Sequence, residues 1–252
     1  MNAVILRIIA MATMLTDHCN YLFNVSSLAW YIGRLSFPLY AFLLADSYLH
    51  LRSDSGRMKK YVFQLLILAV VSEFAYDYVA FGRWLDWRSQ NQILQFLCFV
   101  LAALLADRLP HRWLRLPLWG IVIALNFLCN LGYYGLGIVT LLAVRWYLER
   151  YGSQCFCRRL MGAAAVMLVF CSGYVLQEVY FNFRTFVVDG TVYWDPIIYL
   201  FRTNSVTLLL IPVIALYNGQ YGNPPRWFRV LYKYFYPAHL YGLSLITIYM
   251  GF

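Results

Sequence analysis

Residues 3–23 read AVILRIIAMATMLTDHCNYLF. Apart from Arg7 and Thr13 the run is apolar as far as Leu15, and an Asp-His dipeptide, Asp17-His18, falls in its last third. A transmembrane helix needs about 20 mostly apolar residues, and this run supplies that length. Arg7 lies near one end, where a long side chain can snorkel to the interface. No small-residue cleavage site follows, so the run predicts a retained helix and not a removed signal peptide.

The same reading extends outward along the chain. Residues 28–49, 61–80, 91–107, 114–130, 133–149, 159–180, 196–217 and 230–251 are further candidate spans. Together they predict an all-α polytopic bundle of about nine transmembrane helices, forming a single integral membrane domain over 1–252. The fifth and sixth spans are short and separated only by Asn130, Leu131 and Gly132. They predict either a tight hairpin or one re-entrant feature, which would reduce the count to eight. No repeats, soluble domains or low-complexity linkers interrupt the pattern.

Composition demands the same solvent. The 252 residues are 62% hydrophobic and 12% charged, whereas a soluble domain is about 45–50% apolar and about 25% charged. A single core of this size cannot hide such an excess, so the remaining apolar surface meets the lipid bilayer. Aromatics make up 19%, with 22 Tyr and 8 Trp, the residues enriched at membrane interfaces. The net charge of +9 would suggest nucleic acid for a soluble protein. Here the cations occupy short connections between apolar runs, which argues for topology and against a nucleic-acid partner.

Those cations alternate. Arg52, Arg57, Lys59 and Lys60 fall in one connection; Arg108, Arg112 and Arg115 in the next but one. Arg145, Arg150, Arg158 and Arg159 follow in the same phase, then Arg226, Arg229 and Lys233. The intervening connections carry only Arg83, Arg88 and Arg184. Lys and Arg mark cytoplasmic loops, so the N-terminus is predicted inside and the C-terminus outside.

Ionisable groups within a span are costly, and each is a candidate functional residue. Asp17, His18, Arg34, Glu73, Arg202, Asn204 and His239 all fall in the outer halves or middles of their spans, and Gln90, Asn91 and Gln92 open the fourth. They are expected to share one outer cavity. Asp46 stands apart near an inner end. Asp17 and Arg34 suit an ion pair between the first two spans. Neighbouring helical residues point about 100° apart, so Asp17 and His18 divide their labour. Gly33, Gly135 and Gly137 are expected to permit close helix approach. Pro38 and Pro237 are expected to kink their helices. The six cysteines form no CxxC pair and no zinc spacing, so no metal site is expected.

Two motifs carry a family resemblance. The segment Ile8-Ile9-Ala10-Met11-Ala12-Thr13-Met14-Leu15-Thr16-Asp17-His18, followed by Gly33-Arg34-Leu35-Ser36-Phe37-Pro38-Leu39-Tyr40-Ala41-Phe42, resembles the TraX family. That family is named for an enzyme that acetylates the N-terminus of conjugative pilin. The resemblance continues at Asn91, at Tyr134-Gly135-Leu136-Gly137 and at Tyr236-Pro237-Ala238-His239-Leu240. It implies a membrane acyltransferase that takes an acetyl group from acetyl-CoA to an amine or hydroxyl acceptor, a peptide N-terminus or a cell-surface molecule. His18 is implied as the base, with Asp17, Arg34 and His239 beside the chemistry. Asn91, Glu73, Tyr134 and Tyr236 are candidate substrate contacts. The CoA phosphates need cations on the inner side, where Arg52, Lys59, Lys60, Arg158 and Arg159 are candidates.

The chemistry suits these residue types, because an amine or hydroxyl nucleophile needs a base near neutral pKa and the developing oxyanion needs a donor. Two other classes stay open. Intramembrane charges and Pro-broken helices also mark transporters. A non-catalytic subunit of a secretion or conjugation complex would use the polar residues structurally. Homo-oligomerisation is compatible with any of these.

Overall fold

Among the described residues the nine expected spans are helical over most of their length, and the reason is visible on the longest helix. In the computed structural model, α4 (Ser55–Phe81) buries Met58, Leu65, Ala69, Ser72 and Ala75 on one stripe. Its opposite face presents Phe63, Ile67, Val70 and Phe74, and Phe63 is 62% exposed. A soluble amphipathic helix puts polar residues there. Here small residues, Ala69, Ser72 and Ala75, make up part of the buried stripe and the outer face is bulky and apolar, an arrangement that lets helices approach closely within lipid. Helix α8 (Phe156–Phe181) repeats it, burying Gly162, Ala163 and Val166 while exposing Met161, Leu168 and Leu176.

The structure describes residues 1–181, 183, 187–188, 191–192 and 194–250. Arg184 and the last residue of the final predicted span, 251, lie outside them. The other helices are α1 (Ala3–Phe23), α2 (Ser27–Gly33), α3 (Ser36–Leu51), α5 (Gln92–Arg108), α6 (Arg115–Leu128) and α7 (Tyr134–Tyr151). After α8 come α9 (Trp194–Ser205), α10 (Leu210–Ala215) and α11 (Arg226–Met250). Two-residue strands, Val187–Val188 and Thr191–Val192, pair antiparallel between α8 and α9. Among the described residues, Ser27–Leu51, Ser55–Phe81, Phe156–Phe181 and Ile197–Ala215 are long and apolar enough to cross a membrane. The chain is an α-helical membrane bundle.

The second expected span breaks where the sequence did not predict it. The expected kink at Phe37-Pro38 is replaced by a turn at Arg34 and Leu35 that separates α2 from α3. Pro38 then falls third in α3, within the first turn, where a backbone N–H has no intrahelical partner to lose. Pro117 and Pro212 occupy the same third position in α6 and α10. The eighth span joins α9 to α10 through a 3-10 turn, Val206–Leu209. Among the described residues, Pro237 sits well inside a long helix, α11.

The predicted fifth and sixth spans stay separate. A turn with Asn130, Gly132 and Tyr134 at positive φ divides α6 from α7. Helix α6 has 14 residues, about 21 Å at 1.5 Å per residue, shorter than the ~30 Å hydrocarbon layer.

The chain divides into two compact units, Met1–Phe42 with Ala143–Gly222, and Leu43–Leu142 with Asn223–Phe252. In the first, α1 packs on α2, and α8 packs on α9 and α10. The N-terminal segment is tied to the 216–222 loop: the Met1 ammonium donates to Leu216 O at 2.8 Å, and Ala3 N donates to Gln220 O at 2.9 Å. In the second, α4 packs on α5 and α11, and α5 on α6.

Candidate functional site

The first unit holds the Asp-His dipeptide. Helix α1 runs against α2, and Gly33 at the end of α2 lies where a side chain would collide with Asp17. The next residue, Arg34, caps α2 in the right-handed helical region. Its guanidinium stacks over the Trp30 ring at 4.1 Å, and Nη1 donates to the Tyr174 hydroxyl at 3.2 Å. Arg34 interacts electrostatically with Asp17, and Tyr174 lies beside Glu178 of α8. Asp17, His18, Arg34, Tyr174 and Glu178 are all half-buried. The cluster therefore sets a fixed cation and two carboxylates in one apolar unit. His18 follows Asp17 on the same helix, about 100° round from it.

The second unit gathers another set. Glu73 of α4 accepts from the Asn91 backbone N–H at 3.2 Å and from Asn91 Nδ2. Asn91 Nδ2 also donates to Ala69 O at 2.7 Å, while Oδ1 accepts from Ile93 N at 2.9 Å and Leu94 N at 3.2 Å. Asn91 is wholly buried, and its observed work is to cap α5 and fasten it to α4. Glu73 thus stands at the positive end of the α5 dipole. Helix α11 reaches the same region: the Tyr241 hydroxyl donates to Val71 O at 2.9 Å. Tyr236 is grouped with Glu73, Tyr76, Tyr133 and the Gln92 backbone. His239 Nδ1 is 2.7 Å from Phe235 O, an N–H donor contact that leaves Nε2 as the basic nitrogen of the neutral ring.

Tyr134 enters through its backbone. Its carbonyl accepts from Gln95 Nε2 at 2.6 Å. Gln95 is wholly buried; the same Nε2 donates to Leu131 O at 2.9 Å, and Oε1 accepts from Tyr133 N at 3.2 Å. A Cβ on Gly137 would lie 1.9 Å from Gln95 Oε1, so the glycine admits an amide and not another helix backbone. Arg202 is exposed on α9, and Asn204 donates Nδ2 to Leu200 O at 2.9 Å. Asp46 accepts an i,i+4 contact from His50 at 3.5 Å. Of the residues expected to share one outer cavity, Asp17, His18, Arg34, Arg202 and Asn204 belong to the first unit, and Glu73, Gln90, Asn91, Gln92 and His239 to the second.

Of the candidate phosphate-binding cations, Arg52 and Lys59 line a cleft of about 760 Å³ between α3, α4 and α5. Lys60 is exposed. In the first unit, Arg158 donates to Gln154 Oε1 at 3.2 Å, and Arg159 lies beside the Tyr147 hydroxyl. Among the described residues no group of His, Cys, Asp and Glu is placed to hold a metal ion.

Sequence reasoning passed over Glu178, Asp77, Gln95 and Tyr174. Asp77 is fully buried and its Oδ2 accepts from the Asp86 backbone N–H at 2.8 Å. Glu178 and Asp77 are carboxylates within predicted spans, so the rule that selected Glu73 reaches them too. Gln95 is an amide in a span and carries a weaker form of that signal. Tyr174 carries none, being one tyrosine among 22.

Comparison with known proteins agrees with these motifs. The family described as TraX protein matches residues 2–247. "Probable fimbrial assembly protein FimC, serogroup H1" of Dichelobacter nodosus is 32% identical over 162 residues, covering 59% of this chain and 64% of that protein. The aligned part thus spans under two thirds of that relative's length. No solved structure matches. With the matched residues taking in both the Asp17-His18 and the Tyr236–Leu240 motifs, the chain belongs to the TraX family.

Proposed function

We propose that this protein is a bacterial inner-membrane acetyltransferase, which moves an acetyl group from acetyl-CoA to the N-terminal amine of a peptide that becomes part of a surface fibre. The observation that carries the reading is the Asp17-His18 dipeptide beside Arg34, which Trp30 and Tyr174 hold in place, within a chain of the TraX family. The fimbrial name of the relative from Dichelobacter nodosus supports a fibre subunit as the acceptor.

In this reading His18 takes a proton from the acceptor amine as its nitrogen attacks the thioester carbonyl. Arg34 or the Tyr174 hydroxyl stabilises the oxyanion. The C–S bond breaks, and the CoA thiolate recovers the proton from the imidazolium, giving an amide and a free thiol. Asp17 offsets the charge of Arg34 and so keeps the cation affordable inside the bundle. The cations Arg52, Lys59, Lys60, Arg158 and Arg159 are candidates for the CoA phosphates.

Purified protein incubated with radiolabelled acetyl-CoA and candidate peptides tests the reading. Wild type transfers label, and His18→Ala transfers at least 100-fold less, the lower end of what a general base supplies (about 10²–10⁴-fold). Equal transfer by both removes His18 from the mechanism. A second reading, a non-catalytic assembly subunit, is favoured by the same relative's name. It expects no transfer by either protein and loss of fibres on deletion of the chain.

A further inference from the structure

We propose that the cleft between α3, α4 and α5 binds one anionic phospholipid, with its phosphate on Arg52, Lys59 and Arg108 and an acyl chain along Phe63, Leu66 and Leu101. This goes beyond the acetyl-transfer reading and does not rest on it; it takes Arg52 and Lys59 from the candidate CoA cations and leaves Lys60, Arg158 and Arg159 to the acyl donor.

The cleft has two kinds of wall. At its polar end the C-terminal turns of α3 and α5 meet the N-terminal turns of α4, and three cations line it: Arg52 just past α3, Arg108 of α5 and Lys59 of α4. One carboxylate, Asp107, shares that end. It accepts from the Tyr48 hydroxyl at 2.6 Å and lies 3.7 Å from Arg52 Nη1. Three cations against one engaged carboxylate leave positive charge for an anion. At its other end Phe63, Leu66 and Leu101 are 62%, 45% and 48% exposed. They belong to helices whose outer faces are apolar beyond those terminal turns.

This pairing selects the ligand. A water-soluble phosphate ester needs the cations and gains nothing from an open apolar wall. A neutral lipid needs the wall and gains nothing from the cations. An anionic phospholipid uses both. The volume, about 760 Å³, lies within the range of ordinary ligand pockets, about 300–1,000 Å³. The cleft is also on the side that the Lys and Arg distribution makes cytoplasmic, where basic pockets between transmembrane helices receive anionic headgroups.

Native mass spectrometry of the full-length protein, purified in detergent with equimolar phosphatidylglycerol and phosphatidylcholine, tests this. One phosphatidylglycerol is expected to be retained in preference. Lys59→Ala and Arg108→Ala each weaken retention about fivefold, the effect of one cation near an anionic headgroup. Both side chains are exposed, so folding is not at stake. Leu101→Trp keeps every cation, fills the apolar half and also lowers retention. Arg226→Ala with Arg229→Ala, exposed cations away from the cleft, changes nothing. Equal retention of the two lipids, or unchanged retention in the Lys59 and Arg108 variants, overturns the proposal. Displacement of the lipid by acetyl-CoA also overturns it, and would give the cleft to the acyl donor.

Discussion

A Cβ built on Gly33 would lie 2.1 Å from Asp17 Oδ1. The missing side chain of Gly33 is the space in which the Asp17 carboxylate sits. The residue that follows, Arg34, supplies the charge that Asp17 faces. Glycine and arginine therefore act as a pair: one makes room for the carboxylate and the other offsets it.

Gly33→Ala is expected to destabilise the protein, although alanine is the better helix former by about 1 kcal/mol. Overpacking against Asp17 costs about 1–3 kcal/mol and decides the sign. Thermal unfolding in detergent should show a lower Tm. Asp17→Ala removes the carboxylate contacts but keeps its own Cβ, 2.7 Å from a Cβ on Gly33, so in the double variant the Gly33→Ala penalty should shrink without vanishing, a coupling that a double-mutant cycle reads directly.

Arg34→Lys keeps the charge and loses the planar group that stacks on Trp30 and reaches Tyr174. Cation–π contacts are worth about 0.5–2 kcal/mol, so the lysine variant should unfold at lower temperature than wild type. Tyr174→Phe removes the acceptor hydroxyl alone and should lose less. If Arg34→Lys matches wild type in both stability and transfer, the guanidinium geometry has no role.

Gln95→Leu should loosen the α6–α7 turn. It removes the Gln95 hydrogen bonds to the Leu131 and Tyr134 carbonyls and to the Tyr133 N–H, at about 1–3 kcal/mol for the buried Leu131 carbonyl. Hydrogen exchange should quicken across 129–137 and stay slow in α8. Gly137→Ala, which drives a methyl into the same amide, should reproduce the pattern.

Below about pH 4 stability should fall through the α4–α5 connection. The Arg88 side chain and backbone N–H hold the Asp86 carboxyl down at about 2, below the ordinary value of about 3.9. The stabilisation is therefore complete above the unfolded value and is lost as pH falls toward the folded one. The Arg57 backbone N–H and side chain lower Asp54 in the same way. Tm should be flat from pH 7 to about 5 and drop below 4. Asp86→Asn should lower Tm at pH 7 and flatten the acid limb.

The spans were legible because solvation belongs to each residue separately. Runs such as 61–80 identify themselves by hydropathy without reference to any partner. Where helices broke was less legible. Pro38 marked a disturbance in the second span, and the break came upstream, at Arg34 and Leu35, so that the proline lands in a first turn where its missing N–H costs nothing.

Asp17, His18, Arg34, Glu73 and His239 announce themselves because charge and imidazole are rare in a span. Their partners do not. That Tyr174 receives Arg34, that Asn91 caps α5 while holding Glu73, and that Gln95 joins α5 to the α6–α7 turn all depend on helix rotation and register. A step of one residue turns a side chain by about 100°. By itself the sequence determined the membrane, the apolar helical runs and the costly polar residues. Tertiary structure alone decided which of them meet, because a hydrogen bond belongs to two residues and needs both placed to within a few tenths of an ångström.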